Sequence, residues 1–204
     1  MNLLRSSLAA SLIAAAGLSV TPVSHAQAAN ELGGSPVPGL CMLSREAVFA
    51  QSKVGQAASD RLNMLAQQAR SELDTQRKPL DTDIQSFQQK AASLSETQRK
   101  QQGAALQQRM QTFKTEADEQ NERIQLTRNK VLQQIGEDAQ PFVNSSYKSH
   151  RCGLLINRDA VFGGNTTNDL TKDVVEGLDR KITAINFGLE PLPSKGATGK
   201  SAIK

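Results

Sequence analysis

The 204-residue sequence is poor in aromatic side chains and in histidine. It has no tryptophan, one tyrosine, six phenylalanines and two histidines. Proteins that bind single-stranded nucleic acid commonly stack bases on aromatic rings, and a net charge of +4 is too small to indicate a nucleic-acid surface. Few groups are present for acid–base catalysis, and no nucleophile motif or phosphate-binding glycine loop occurs. We therefore expect no nucleic acid partner, no cofactor and no enzymatic activity.

Long apolar runs are absent except near the N-terminus. There Arg5 precedes an apolar run over residues 8–20 and a stretch that ends in small residues, which is the layout of a secretory signal peptide. A membrane anchor is the alternative, but the run is shorter than the roughly 20 residues that a spanning helix needs. We expect residues 1–28 to be a signal peptide that is cleaved after Ala26 or Ala28.

The sequence has only two cysteines, and they lie far apart. Cys41 and Cys152 flank the long central segment. In an exported protein such a pair usually forms a disulfide, and a bond that closes so long a loop could contribute about 4 to 5 kcal/mol to stability. A zinc site with His150 is the less favoured alternative. We predict a disulfide and no metal site.

The central segment repeats its apolar residues every eleven positions. One column of the repeat holds Val54, Leu65 and Phe87, with Gln76 in the remaining slot, and a second holds Ala58, Ala69, Leu80 and Ala91. This period gives about 3.67 residues per turn, which is typical of nearly straight helix pairs. The apolar stripe is narrow and lies on a polar rod. Pro79 removes one backbone donor, so we expect a kink near residues 76–80.

A second apolar stripe starts at Leu106 and continues to Ile135. Between the two stripes, Ser95 and Gln98 have the spacing of a capping box, which marks the start of a new helix. Two long helices joined by a short loop fold back on each other. The sequence therefore predicts an antiparallel helical hairpin over residues 54–135, with its tip near residues 92–96.

Short apolar runs flank the hairpin. Residues 40–43, 152–156 and 160–162 predict strands, and Thr171 precedes an amphipathic helix. So small a domain is marginal alone, so we expect a β-rich body, residues 38–53 plus 136–187, that forms an oligomer through its sheet. Residues 29–37 and 188–204 resemble a linker and a disordered tail. The predicted fold class is α+β, mostly α. The predicted contacts between subunits are Leu40, Met42, Leu154, Ile156 and Val161.

The segments on both sides of the hairpin resemble a known family. Residues 45–62 read REAVFAQSKVGQAASDRL, and residues 152–182 read CGLLINRDAVFGGNTTNDLTKDVVEGLDRKI. With the signal peptide and the glutamine-rich hairpin, this arrangement resembles the Skp, or OmpH-like, periplasmic chaperones of Gram-negative bacteria. The two cysteines and the long tail depart from the family pattern. The most specific matches are Ala47-Val48-Phe49, Asp159-Ala160-Val161-Phe162 and Asp169-Leu170-Thr171.

The resemblance implies a periplasmic homotrimer whose helical arms enclose unfolded outer-membrane proteins without ATP. It also implies that the basic arm tips contact anionic membrane lipid or lipopolysaccharide, although a charge run is more often an ordinary solvated surface. A structural envelope spacer or tether is the alternative function. The apolar candidates for client contact are Phe87, Leu94, Leu106, Met110 and Phe113. The basic tip residues, which are candidates for contact with lipid or with an acidic client, are Lys90, Arg99, Lys100 and Arg109.

Overall fold

The computed structural model describes residues 33–193. The predicted signal peptide and residues 194–204 of the predicted tail lie outside this range. In chain order the elements are strand β1 (Leu40–Leu43), helices α1 (Arg45–Gln51), α2 (Lys53–Lys90) and α3 (Glu96–Ser149), strand β2 (Leu154–Asn157) and helix α4 (Thr171–Lys181). The predicted class, α+β and mostly α, is confirmed. Within residues 33–193 no helix is both long and apolar enough to cross a membrane.

Helices α2 and α3 form the predicted hairpin, which we call the arm. A single 3₁₀ turn, Ala91–Ser93, joins them at the tip. The capping box is confirmed, because the Ser95 hydroxyl accepts a hydrogen bond from the Gln98 backbone N–H while the Gln98 side chain accepts one from the Ser95 backbone. Helix α2 continues through Pro79. Few side chains are buried along the arm; they are Val54, Ala58, Leu65, Ala69 and Leu80 on α2 and Thr127, Val131, Ile135, Ala139 and Ser146 on α3.

The body is more helical than the sequence predicts. Helix α3 does not end near Ile135 but continues to Ser149, and the sheet has two strands, not three. The predicted third strand, residues 160–162, is wrong. Arg158–Ala160 form a 3₁₀ turn instead, with the Asn157 side chain accepting from the Asp159 N–H. The free edge of β1 is occupied by another segment, since Met42 exchanges backbone hydrogen bonds with Asn168 and Leu170.

Strands β1 and β2 pair in parallel, with Leu40 opposite Leu154 and Met42 opposite Ile156. The whole arm is therefore the crossover between two neighbouring parallel strands. Next to the sheet, Cys41 and Cys152 are joined within the chain by a disulfide, with their Cα atoms 5.7 Å apart. Cys41 is fully buried. The bond consequently lies at the root of the arm, where the chain leaves the body and returns to it.

The core of the body forms where α1, α4 and the root of the arm meet. Leu170, Val174 and Leu178 from the α4 region are fully buried together with Val54 of α2. Ser52 ends α1 and caps α2, its hydroxyl accepting from the Gly55 N–H. This tight junction requires a glycine, because a Cβ at position 55 would overlap the carbonyl of Phe49.

After α4 the chain continues as an extended segment, residues 182–193, which we call the strap. Ile182, Ile185 and Phe187 pack against the core of the body. Further along, Glu190 is fixed to α3: its N–H donates to Thr127 Oγ1 at 2.9 Å, and its carbonyl accepts from Arg123 Nε at 3.0 Å. The prediction of a disordered tail from residue 188 is therefore wrong for residues 188–193. The prediction relied on the local content of Pro and Gly, whereas the strap is held in place by contacts with residues that are distant in sequence.

We predict that Gly55→Ala destabilises the body by about 1 to 3 kcal/mol, because the added methyl group would force α1 and α2 apart. Gly103→Ala is the matched control in the arm. A Cβ there meets only the Phe87 ring, at 3.6 Å, and replacing a mid-helix glycine with alanine stabilises by about 0.5 to 1 kcal/mol. Urea unfolding followed by circular dichroism measures both. Equal effects of the two substitutions would contradict the steric account.

Candidate functional site

The arm exposes isolated apolar side chains on a polar surface. Of the five predicted client-contact residues, Met110 is 51% exposed, whereas the other four are half-buried. Phe87 illustrates why, since its ring lies against Gly103 of the facing helix. These four residues, Phe87, Leu94, Leu106 and Phe113, therefore belong largely to the contact between the helices.

Sequence analysis did not predict Met64, which is 54% exposed on α2. It lies outside the apolar stripe, so a search for helical periodicity passes over it. It could have been found by searching instead for large apolar residues that lie off the apolar stripe of a predicted helix. Met64 and Met110 are the two large apolar side chains of the arm that are more than half exposed in the described residues. A methionine side chain adapts its shape to varied partners.

A groove of about 500 Å³ lies midway along the arm, between the two helices. Leu80 and Phe113 supply its apolar wall. Its remaining lining is polar or small and comprises Gln76, Ala105, Gln108, Arg109, Thr112 and Glu116. Such a mixed wall can contact apolar groups weakly while remaining hydrated.

The basic tip is only partly free of counter-charges. Arg109 Nη1 lies 2.6 Å from Asp83 Oδ2 on the facing helix, and Lys100 Nζ lies 2.6 Å from Glu96 Oε1 one turn earlier. Lys90 and Arg99 have no such ion pair in the described part of the chain. Of the four predicted tip residues, these two are therefore the strongest candidates for contact with an anion.

The body exposes a second apolar surface beside the sheet. Leu154 is 58% exposed, Val37 is 59% exposed and Phe162 is fully exposed. A separate groove of about 740 Å³ lies between α1, α3 and β2, and the strand residue that lines it is Leu155, not Leu154. Large exposed apolar groups of this kind mark interaction surfaces when they cluster. The apolar residues lining the groove are Leu43, Val48, Phe49, Leu132, Ile135 and Leu155.

The five predicted oligomer residues do not all belong to this surface. Met42 is only 7% exposed and is buried within its own chain, because the segment around Asn168 covers the outer edge of β1. Leu40, Ile156 and Val161 are half-buried, and only Leu154 is strongly exposed. Sequence analysis missed Phe162 as an exposed residue because it placed this side chain in a strand.

The zinc alternative is not compatible with the geometry. Both thiols are consumed in the disulfide, and His150 Nε2 lies 2.7 Å from Asp173 Oδ2. Within residues 33–193, no group of three or more His, Cys, Asp or Glu side chains is arranged to hold a metal ion. His150 therefore joins the end of α3 to α4 in the body.

Comparison with known proteins places this architecture in a family. The model of the family described as Outer membrane protein (OmpH-like) matches residues 40–178, which is more than half of the chain. The chain belongs to the OmpH-like family. A solved structure from Caulobacter crescentus, of a protein proposed to be an OmpH-like outer membrane chaperone, is 28% identical. It has a TM-score of 0.68, and the match covers 78% of this chain and 94% of that one. No curated protein matches the chain.

The OmpH-like match extends from β1 into α4 and covers the whole arm. It ends at residue 178, before the strap begins. The arm and most of the body are thus family features, and the match to the solved structure covers a larger share of the chain than the family model does.

Proposed function

We propose that this OmpH-like protein is a periplasmic chaperone that holds unfolded outer-membrane proteins without ATP, in a cavity between the arms of a homotrimer. Family membership and the likeness to the Caulobacter crescentus protein support the chaperone role. The observation that carries the proposal is the surface of the arm, where Met64 and Met110 stand more than half exposed among polar residues.

A holding chaperone must bind many unrelated apolar segments without aggregating itself. A polar wall prevents the arms from associating through their whole length, and a few adaptable side chains contact the client weakly at many points. The narrow contact between α2 and α3 is suited to this purpose, because most of the arm surface faces solvent. No step of this mechanism requires nucleotide or metal.

The apolar surface of the body supports assembly into an oligomer. A single arm projects freely and encloses nothing, so a cavity requires at least two further subunits. Leu154 and Phe162 are exposed and belong to the body, far in sequence from the exposed methionines of the arm. We propose that this surface is covered by the neighbouring subunit of a trimer.

We predict that Leu154→Ser combined with Phe162→Ser reduces the molar mass measured by size-exclusion chromatography with light scattering. Both side chains are exposed in the single chain, so the helical content by circular dichroism should be unchanged. Met64→Ser is the control for loss of an exposed apolar group from the arm, and it should leave the mass unchanged. A trimer that persists in the double variant would contradict the proposed subunit interface.

We predict that the mature protein suppresses light scattering when a denatured outer-membrane β-barrel protein is diluted from urea. Replacing Met64 and Met110 with serine should weaken the suppression several-fold, because both exposed contacts are lost. Gln67→Ser with Gln111→Ser shortens two exposed polar side chains on the same two helices and is the matched control. If the intact oligomer leaves aggregation unaffected, the holding function is wrong.

A structural spacer or tether of the envelope is the second candidate function. The observation in its favour is the length of the arm, since the 38 residues of α2 span about 57 Å. A spacer binds a folded partner, whereas a holding chaperone binds many unfolded ones. Failure of the aggregation assay with an intact oligomer would favour the spacer.

We also propose that the arm tip contacts anionic lipid or lipopolysaccharide through Lys90 and Arg99. Replacing both with glutamine should reduce co-sedimentation with vesicles containing phosphatidylglycerol, and about 0.5 M salt should reduce the binding of the parent protein in the same way. The control removes the same charge from the body, through Lys148→Gln and Lys181→Gln. Equal losses in the two variants would show that net charge, and not the tip, controls binding.

A further inference from the structure

The strap advances along the arm from the body towards the tip. Just before the strap, Asp179 in the last turn of α4 accepts a hydrogen bond from the N–H of Lys53, the first residue of α2. Eight positions later in both segments, the Phe187 carbonyl accepts from Arg61 Nε at 3.2 Å. Glu190 then reaches across to α3. The strap and helix α2 therefore run in the same direction, from the body towards the tip.

Side chains of the strap remain half-buried up to the end of the described residues. Ile185, Phe187 and Leu189 are half-buried, while Asn186 and Gly188 between them are exposed. This is the alternation of an extended chain that lies on a surface. Leu192 is again half-buried between two exposed prolines. The segment that follows therefore starts in contact with the arm.

The next turns of the same helix face are acidic. On α3 the strap contacts Arg123, Thr127 and Lys130, and the three- and four-residue steps of a helix continue this face towards the tip at Gln120, Glu119 and Glu116. On α2 the face that starts at Arg61 continues through Met64 and Gln68 to Glu72 by the same steps.

These side chains have unused bonding capacity. Glu116 and Glu119 are half-buried, and neither forms a salt bridge with another residue of the range 33–193. Glu116 and Glu119 thus have no ion-pair partner among the described residues.

The C-terminal segment, residues 194–204, has the matching chemistry. It contains Lys195, Lys200 and Lys204 and no acidic residue. Its eleven residues can extend over as much as about 36 Å, whereas the helix from Arg123 to Glu116 spans only about 10 Å. Its attachment to the strap also gives it a high effective concentration at this face.

We propose that residues 194–204 dock along this face of the arm, in continuation of the strap. Their lysines pair with Glu116, Glu119 and Glu72. The docked segment covers part of the surface around Met64. If the arm holds clients as proposed above, the segment and the client compete for this surface, so the docked state is the resting state of the arm.

Two other occupants of the face are a client chain and a second subunit. Neither is joined to the strap, and neither is selected by the acidic charge of the face as the lysine-bearing segment is.

The test is hydrogen–deuterium exchange of the mature oligomer at low salt, compared with a chain that ends at Pro193. Docking predicts about threefold slower exchange, the scale of exposed ion pairs, in peptides covering residues 64–76 and 112–124 of the full-length protein. The same slowing should disappear at about 0.5 M salt, because ionic screening weakens exposed pairs. Equal exchange of the two chains at low salt would overturn the proposal.

Charge variants separate a specific contact from general attraction. Glu116→Gln with Glu119→Gln should abolish the slower exchange. Asp118→Asn with Glu122→Gln removes the same charge from the opposite side of α3 and should retain it. If the second pair abolishes the effect as fully as the first, the face described here is not the docking site.

The predicted competition between residues 194–204 and clients rests on the proposed holding function. The aggregation assay tests that function separately from docking. If residues 194–204 compete with clients, the shortened chain should suppress aggregation at a lower concentration than the full-length chain. Slower exchange with no suppression by either chain would overturn the holding function and leave docking in place. Suppression without slower exchange would overturn docking and leave the holding function in place.

Discussion

The parallel pairing of β1 with β2, closed by the disulfide between Cys41 and Cys152, is the constraint on which the architecture depends. The two cysteines are 111 positions apart, and closing so long a loop is entropically costly. Because neighbouring parallel strands hold both ends of this loop at one place, the chain between them must leave the body and return to it. Two antiparallel helices are the simplest way to do so, and the length of the arm then depends only on how many residues they contain.

The arm has a different balance of forces from the body. In the body, Val54 and Val174 are completely buried among residues from several elements. Along most of the arm, each helix can bury side chains only against the other, and the exposed ion pair between Arg109 and Asp83 contributes little. Local stability therefore decreases from root to tip. The strap changes this gradient, because Thr127 and Glu190 tie the lower part of the arm to a third segment.

The parts of the fold that the sequence predicted correctly depend on local patterns. The eleven-residue repeat and the Ser95–Gln98 capping box require only neighbouring residues, so both helices and the turn between them could be predicted. The third strand could not, because the edge of β1 is taken by Asn168 and Leu170, a competition between segments that are distant in sequence. The strap was missed for a related reason. Its glycine and prolines resemble a disordered segment, while its period of two at Ile185, Phe187 and Leu189 is short and acquires meaning only beside the arm.

In the candidate site, too, local features could be predicted from the sequence and long-range contacts could not. Basic residues near the tip were apparent in the sequence, but which of them remain free depends on partners across the hairpin, as with Arg109. Met64 carried no periodic signal, and yet it becomes prominent because the rest of its helix face is polar. The strap contacts the arm at Arg61 on α2 and at Arg123 and Thr127 on α3, so the part of the arm nearest the body is supported by a third segment. Beyond these contacts the two helices have only each other, and the side chains that they leave exposed are the ones available to a partner.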